Sequence, residues 1–294
     1  MTEGPQKIKV KIASKERLDV YLSREINQTR SRLKKMIETG AVRVNDECRN
    51  CSYKVQKNDI ITVESIPEKD RIRNMFTSDY GLISQQDNYL IINKPAGVVV
   101  HPAATHKEGT LLDALQKVYS SPQLVHRLDK ETSGVLIVAL NENTAFDIRE
   151  QFRKKEIKKI YLALVEGIIK EDSGEINIPI RRSRRDPTKM SVGWSNARDS
   201  LTRFKVKKRY EKCTYVEVYL LTGRTHQIRV HFSYMGYPVL GDKKYGRSVI
   251  KAPRHMLHAW QISFSDPSSG KRVYYESELP EDFKGIISSM NLKI

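Results

Sequence analysis

The chain has 294 residues, enough for two domains, and carries 52 lysines and arginines against 35 acids, a formal charge of +17. Apolar residues make up 39%, as in a soluble globular protein, and no apolar run approaches the roughly 20 residues of a membrane span. Lysine and glutamate recur through the first 16 residues, against a signal-peptide pattern, so a cytoplasmic protein with a polyanionic partner and no membrane association is expected.

Residues 17–63 form a compact pattern. Arg17 to Leu22 opens a helix with Leu18, Tyr21 and Leu22 on one side. Asn27-Gln28-Thr29 breaks it, and Thr29 is placed to cap a second helix, Arg30 to Glu38, in which Leu33, Met36 and Ile37 share a face. Val42 to Val44 reads as a strand entering a turn at Asn45-Asp46. Lys57-Asn58-Asp59 turns into a last strand, Ile60 to Val63. Arg30, Arg32, Lys34 and Lys35 meet no acid between 30 and 37, which favours phosphate contact over a merely solvated face. Cys48 and Cys51 make a CxxC with no second ligand pair, and Cys213 is remote, so these read as ordinary reduced thiols rather than a metal site.

The Arg-Leu-Asp opening, the Thr-Arg-Ser-Arg helix start, Gly40-x-Val42-x-Val44-Asn45 and Lys57-x-Asp59 together resemble the S-four RNA-binding domain. Asp46 stands where that family often has Gly. The resemblance implies a small α/β module over residues 1–65 that grips structured RNA. Pro67 and the charge cluster Glu68-Lys69-Asp70-Arg71 suggest a linker over 66–78, leaving 79–294 as the larger domain.

That domain opens with a strand, Tyr89 to Asn93, and a loop at Lys94-Pro95-Ala96-Gly97. Lys94 and His101 are loop residues beside a strand end, where site residues are commoner than in a core. Thr110 can cap an amphipathic helix carrying Leu111, Leu112, Leu115 and Val118. A turn, His126 to Gly134, then separates Gln123-Leu124-Val125 from a buried-looking strand, Val135 to Leu140. It offers one candidate nucleophile, Asp129, flanked by Arg127. A helix is expected over Asn141 to Ile157, then a strand, Ile160 to Val165, with Tyr161, Ala163 and Val165 on one face.

Residues 181–209 hold eleven cations and two acids and are broken by Pro187 and Gly193. Such a segment suits a loop or hairpin following a phosphate backbone, with Arg181, Arg182, Arg184 and Arg185 as candidate contacts. Thr214 to Leu221 alternates as a strand. After Gly223, Thr225 can cap a helix running to about Met235. Arg229 lies near its start, beside the core-facing stripe. A cation there needs an anion, and Asp129 is the natural partner. His226 and His231, five apart, diverge and do not make a metal pair.

Six segments in order now resemble the RluA-type pseudouridine synthases. They are Asn93-Lys94-Pro95-Ala96-Gly97-Val98-x-Val100-His101; His126-Arg127-Leu128-Asp129-x-x-Thr132-Ser133-Gly134; Lys159-x-Tyr161-x-Ala163-x-Val165-x-Gly167; Thr222 to His231; Gly236-x-Pro238-x-x-Gly241-Asp242-x-x-Tyr245-Gly246; and Leu257-His258-Ala259. The resemblance implies an α+β fold with a mixed, mainly antiparallel central sheet flanked by helices. It implies isomerisation of uridine in structured RNA by a monomer without cofactor or metal. The expected RNA is large-subunit ribosomal RNA, with transfer RNA or a catalytically silent ribosome-assembly role as alternatives. Asp129, Tyr161 and Arg229 are then the catalytic positions. Arg127, which could fill the space of a flipped base, joins His126, Lys94, Thr132, Arg224 and Ile228 as substrate-binding positions; for His126, packing and phosphate contact are both open. Attack at C1′, attack at C6 and removal of a 2′ proton all remain open for Asp129.

Overall fold

A computed structural model describes residues 6–10, 15–26, 30–38, 40–63, 81–101, 110–246 and 251–291, with the side chains of 6, 30–32 and 35 excepted. The predicted linker at 66–78 and the proposed cap Thr29 lie outside these residues. The chain divides into two compact units, Met1–Asn74 and Met75–Ile294.

The first unit contains β1 (Gln6–Lys9), α1 (Leu18–Glu25), α2 (Arg30–Glu38), β2 (Val42–Val44), β3 (Glu47–Cys48) and β4 (Ile60–Val63). The strands form a sheet in the order β1-β4-β2-β3. Leu18, Leu22, Leu33, Ile37, Val42, Val44 and Ile61 make its core, so the helical stripes read from sequence are the buried ones. The β2–β3 turn needs two residues at positive φ, and Asn45 (53°) and Asp46 (64°) supply them. Asp46 therefore does what glycine does more easily. Asn45 Nδ2 also donates to Asp59, and its Oδ1 accepts from Ile60 N at 2.9 Å. Strands β1 and β3 are too short and too polar to show a periodic signal, and sequence reading passed over them.

The second unit is built on one large sheet. Its elements are β5 (Gly81–Gln85), β6 (Tyr89–Lys94), α3 (Leu111–Gln116), β7 (Gln123–Leu124), β8 (Ser133–Ala139), α4 (Glu142–Arg153) and β9 (Lys158–Glu166). Then come β10 (Ser173–Asn177), β11 (Ile180–Arg182), β12 (Met190–Val192), β13 (Leu201–Arg209), β14 (Cys213–Leu220), α5 (Gln227–Tyr234), β15 (Leu257–Ser265), β16 (Arg272–Glu276) and α6 (Glu281–Asn291). The order is β10-β13-β14-β9-β15-β8-β6-β5, with β16 on β15 and β7 on β8. All pairings are antiparallel except β15 with β8. This is the mixed, mainly antiparallel α+β architecture expected.

β8 is buried at every position, as a central strand should be. The parallel contact is confined to His258↔Ser133 and Ala259↔Gly134, after which β15 pairs with β16. Gly134 has φ 116°, and a Cβ there would overlap the Ala259 carbonyl. The two central strands can meet only with glycine at this point. Asp129 lies five residues before it.

Local expectations fail in three places. The 141–157 helix ends at Arg153, because Lys155 turns to φ 61° and Ile157 drops into the core before β9. The cationic 181–209 stretch, expected as a loop or hairpin, is a hairpin only in part: Ile180 to Val192 forms the two-stranded β11–β12 hairpin, whereas Arg203 to Arg209 lies in β13 of the main sheet. Thr225 does not cap α5; His226 takes the N-cap position in the left-handed region, with no side-chain cap.

Candidate active site

Two chain segments from opposite sides of the sheet centre meet over β9 and β15. One is the 125–132 loop before β8. Thr132 N closes its turn on Asp129 O at 3.0 Å. Buried groups hold the following residues one after another. Lys94 Nζ donates to Lys130 O at 3.0 Å, and also to Pro95 O and Val98 O. Arg254 Nη1 donates to Glu131 O at 3.0 Å, and Nη2 to Ser133 Oγ at 3.2 Å. Thr132 Oγ1 meets His255 Nε2 at 2.8 Å. Arg254 is itself anchored on Asp282 at the start of α6, with Nε 2.6 Å from Oδ2.

The other segment is the start of α5. Thr222 Oγ1 and Arg224 N both donate to Gln227 Oε1, and Gln227 Nε2 donates to Leu201 O and Thr202 Oγ1. Every polar group of buried Gln227 is thus matched, which fixes the first turn. Arg229 then points at the loop. Its Nη1 lies 2.8 Å from Asp129 Oδ2, while Nε and Nη2 grip Asp242 at 2.7 and 2.9 Å. Asp242 is completely buried, and its Oδ1 also accepts from Lys244 N and Tyr245 N. The guanidinium stacks 5.1 Å from the Tyr245 ring centre. Asp242 compensates the buried arginine permanently and leaves the Nη1 nitrogen for Asp129.

Burial pushes the Asp129 carboxyl upward, but His226 in the protonated form it takes in acid, the Arg229 charge and the Arg229 hydrogen bond outweigh it, and the group sits below the ordinary aspartate value. Asp129 is therefore ionised at neutral pH. It lines a cleft with Arg127, Tyr161, Arg224, His226 and Ile228 among others. Tyr161 projects from β9; burial and then the Asp129 charge raise its phenol well above the ordinary value, so it stays protonated. An ionised carboxylate and a protonated phenol lining one cleft can act on a nucleotide, the carboxylate as nucleophile or base.

The comparisons with known proteins decide what kind of site this is. Residues 88–234 match the family described as RNA pseudouridylate synthase, and residues 16–61 match the S4 domain. The chain is 37% identical over 287 residues to the uncharacterized RNA pseudouridine synthase YlyB of Bacillus subtilis, covering 94% of each. It is 36% identical to the ribosomal large subunit pseudouridine synthase D of Nitrosomonas europaea, covering 93% of this chain and 84% of that one.

The chain belongs to the RNA pseudouridylate synthase family.

It is thus an isomerase acting on RNA. Among solved structures, the human RNA pseudouridylate synthase domain containing 4 superposes with a TM-score of 0.62 at 25% identity, covering 76% of this chain and 97% of that one.

Within this synthase the sequence-derived candidates separate. Arg127, Asp129, Thr132, Tyr161, Arg224, Ile228 and Arg229 line one cleft. Lys94 does not: it is fully buried and its three N–H groups are spent on three carbonyls, so it supports the Asp129 loop instead of touching substrate. Burial lowers its pKa to about 7, yet three acceptors around one nitrogen favour the charged ammonium. His126 is the second correction. Its Nε2 accepts from Ile137 N at 2.9 Å and its ring packs 5.0 Å from Phe152. Burial, then Lys159, drives it down to about 3, leaving a neutral packing residue that cannot pair with phosphate.

Arg182, Arg184 and Arg185 are exposed on the β11–β12 hairpin; Arg181 is half-buried over Gly193. Lys34 is exposed and 3.9 Å from Glu38, while the side chains of Arg30, Arg32 and Lys35 lie outside the described residues. Asp242, Arg254, His255 and His226 were missed as site residues by sequence reading. Asp242 did stand in a quoted motif, and a buried arginine with two acidic partners was the signal that could have singled it out. Among the described residues no cluster of three or more His, Cys, Asp or Glu could hold a metal, and no helix is long and apolar enough to cross a membrane.

Proposed function

We propose that this synthase converts specific uridines of large-subunit ribosomal RNA to pseudouridine, as a cytoplasmic monomer. The observation that carries the reading is the ionised Asp129 carboxylate held 2.8 Å from Arg229 in the same cleft as Tyr161. The target class is supported by relatives named for the ribosomal large subunit, from Nitrosomonas europaea, Neisseria meningitidis and Pseudomonas aeruginosa.

The reaction breaks the N1–C1′ bond, turns the base and joins C5 to C1′; N1 gains a proton and C5 loses one. Asp129 holds the reacting fragment while the base rotates, and Arg229 keeps it charged for that role. A stacked uridine has to leave the helix first. Arg127, exposed at the mouth of the cleft, fills the vacated space with a planar cation. Tyr161 stacks on the extruded base. Because its phenol is protonated, it relays the C5 proton by passing its own onward, not as a standing phenolate. Residues 1–65 and the exposed arginines of the β11–β12 hairpin grip the surrounding RNA by phosphate contact. Arg224, Thr132 and Ile228 shape the wall against which the nucleotide rests.

The test is release of tritium from 5-tritiated uridine in RNA lacking modification, with 23S-type ribosomal RNA and transfer RNA as separate substrates. Release from the ribosomal RNA supports the reading; release from transfer RNA alone moves the target. Binding without release from either would leave a silent RNA-binding protein.

A further inference from the structure

His226 sits at a strained point of the cleft. Its φ of 58° and ψ of 19° put a residue with a Cβ in the left-handed region, at the N-cap of α5, where Asn, Asp or Gly would be cheaper. The side chain makes no cap bond to the helix it precedes. Strain of this kind persists where the surrounding structure holds it for a purpose.

The ring is fixed from one side only. Its Nδ1 lies 2.7 Å from Tyr245 Oη. Tyr245 Oη in turn accepts from Met190 N at 2.8 Å, the first residue of β12 in the cationic hairpin. A phenol has one hydrogen. Met190 N–H occupies one lone pair of the oxygen, so the phenol hydrogen is available to Nδ1. With the phenol donating, the imidazole proton is on Nε2. This nitrogen faces Asp129 Oδ2 at 3.7 Å, too far for a hydrogen bond, and both line the cleft. Asp129 Oδ2 already takes the Arg229 N–H, so it does not need the histidine.

We propose that His226 is a further substrate-contacting residue of the synthase, donating Nε2–H to an oxygen of the flipped nucleotide beside Asp129, and that Tyr245 is the positioning residue that sets its tautomer. A donor aimed at the reacting centre from a ring that cannot turn over costs no reorganisation during reaction. Burial lowers the imidazole pKa, Asp129 opposing and Arg229 and Lys244 reinforcing, with Asp242 the remaining charge near it, so the ring is a neutral donor at working pH. The Met190 link also ties that donor to the hairpin carrying Arg182, Arg184 and Arg185. The inference rests on the activity proposed above.

The experiment combines tautomer and rate. Nitrogen-15 NMR of the histidine rings in the full-length protein should show His226 protonated at Nε2 in the wild type and a mixture of tautomers in Tyr245→Phe. Single-turnover tritium release from unmodified ribosomal RNA then compares His226→Asn, which tolerates the left-handed backbone but is too short, with His226→Gln, which restores an N–H at similar reach. His226→Asn should lose about tenfold or more in rate, the worth of one well-placed hydrogen bond, with RNA affinity kept, and His226→Gln should recover much of it. A merely structural histidine would rank them the other way, because asparagine suits the backbone better. An Nδ1-protonated ring in the wild type, or equal rates for the two variants, overturns the inference. A wild type that releases no tritium would refute the proposed activity instead, and the NMR result still judges the tautomer.

Discussion

Arg229 and Asp129 are a hundred residues apart in sequence and 2.8 Å apart in the fold. The contact uses one guanidinium nitrogen; Asp242 takes the other two. Charge and orientation of the Asp129 carboxylate are thereby set from different parts of the chain. The first expectation concerns the carboxylate. Asp129→Asn keeps shape and a partner for solvent but removes the charge on which the proposed role depends. Tritium release should fall about a thousandfold or more, with RNA affinity by filter binding within about threefold. Equal turnover by the variant would remove Asp129 from the chemistry.

Asp242→Asn tests the anchor. It takes a charge from a buried bidentate pair and leaves Arg229 with Asp129 alone. Breaking such a pair costs about 3–5 kcal/mol, read as a lower urea midpoint at unchanged slope. The rate should fall as well, since the guanidinium is free to swing. A variant as stable as the wild type would mean that Asp129 alone suffices to hold it.

Tyr161→Phe separates stacking from proton transfer. The ring stays on β9 between Ile160 and Leu162, so RNA affinity should be unchanged. Loss of the hydroxyl should slow single turnover by about a hundredfold, the usual scale for a positioned acid or base. An unchanged rate would restrict Tyr161 to stacking.

Gly134→Ala addresses the sheet centre. A Cβ at φ 116° overlaps the Ala259 carbonyl, and neither backbone can retreat without breaking the β8–β15 contact. The variant should lose more than about 4 kcal/mol or fail to accumulate as folded protein. Circular dichroism and urea unfolding decide it. A stable variant would show that the two strands tolerate separation.

Acid should weaken the fold well before the carboxylates titrate. Burial lowers His126 from 6.5 to about 3 and His258 to about 4, and lowers His255 too. Between about pH 4 and 6.5 the unfolded chain binds protons that the folded chain refuses. Stability therefore falls as pH drops through that window, by about 1.4 kcal/mol per pH unit for each such histidine. Asp129, Asp242 and Asp282 shift the other way and lose their stabilisation only below the ordinary carboxylate range. Urea unfolding at pH 7, 6 and 5 measures the slope, and His126→Gln should remove one histidine's share. A flat profile over that range would contradict the buried neutral histidines.

Much was legible from the linear chain because it rests on local spacing. Leu33, Met36 and Ile37 recur at helical intervals and do bury one face of α2. Tyr161, Ala163 and Val165 alternate and do share a face of β9. The cap at Thr110 is likewise a local relation, and the structure forms it, with Asp113 closing a capping box. Composition alone pointed to a polyanion, and ordered motifs to the family.

What the chain could not disclose locally are the relations between distant segments. Lys94 looked like a site residue because loop lysines beside a strand end are usually solvated. Three carbonyls from two different loops bury it instead. His126 was open to packing or phosphate contact, and Ile137 and Phe152 close on it to give packing. Arg203 to Arg209 read as part of a cationic loop or hairpin because its charge hid a strand of the main sheet whose other face, at Phe204 and Val206, is apolar. Asp242, Arg254 and Tyr245 acquire meaning only through partners 13 to 123 residues away. Sequence by itself determined most of the helices and strands, the family and Asp129 as the candidate carboxylate, because periodicity and motif order are local. Tertiary structure alone decided which charges are buried, which are paired and which face the cleft, because burial and pairing depend on the whole sheet closing around them.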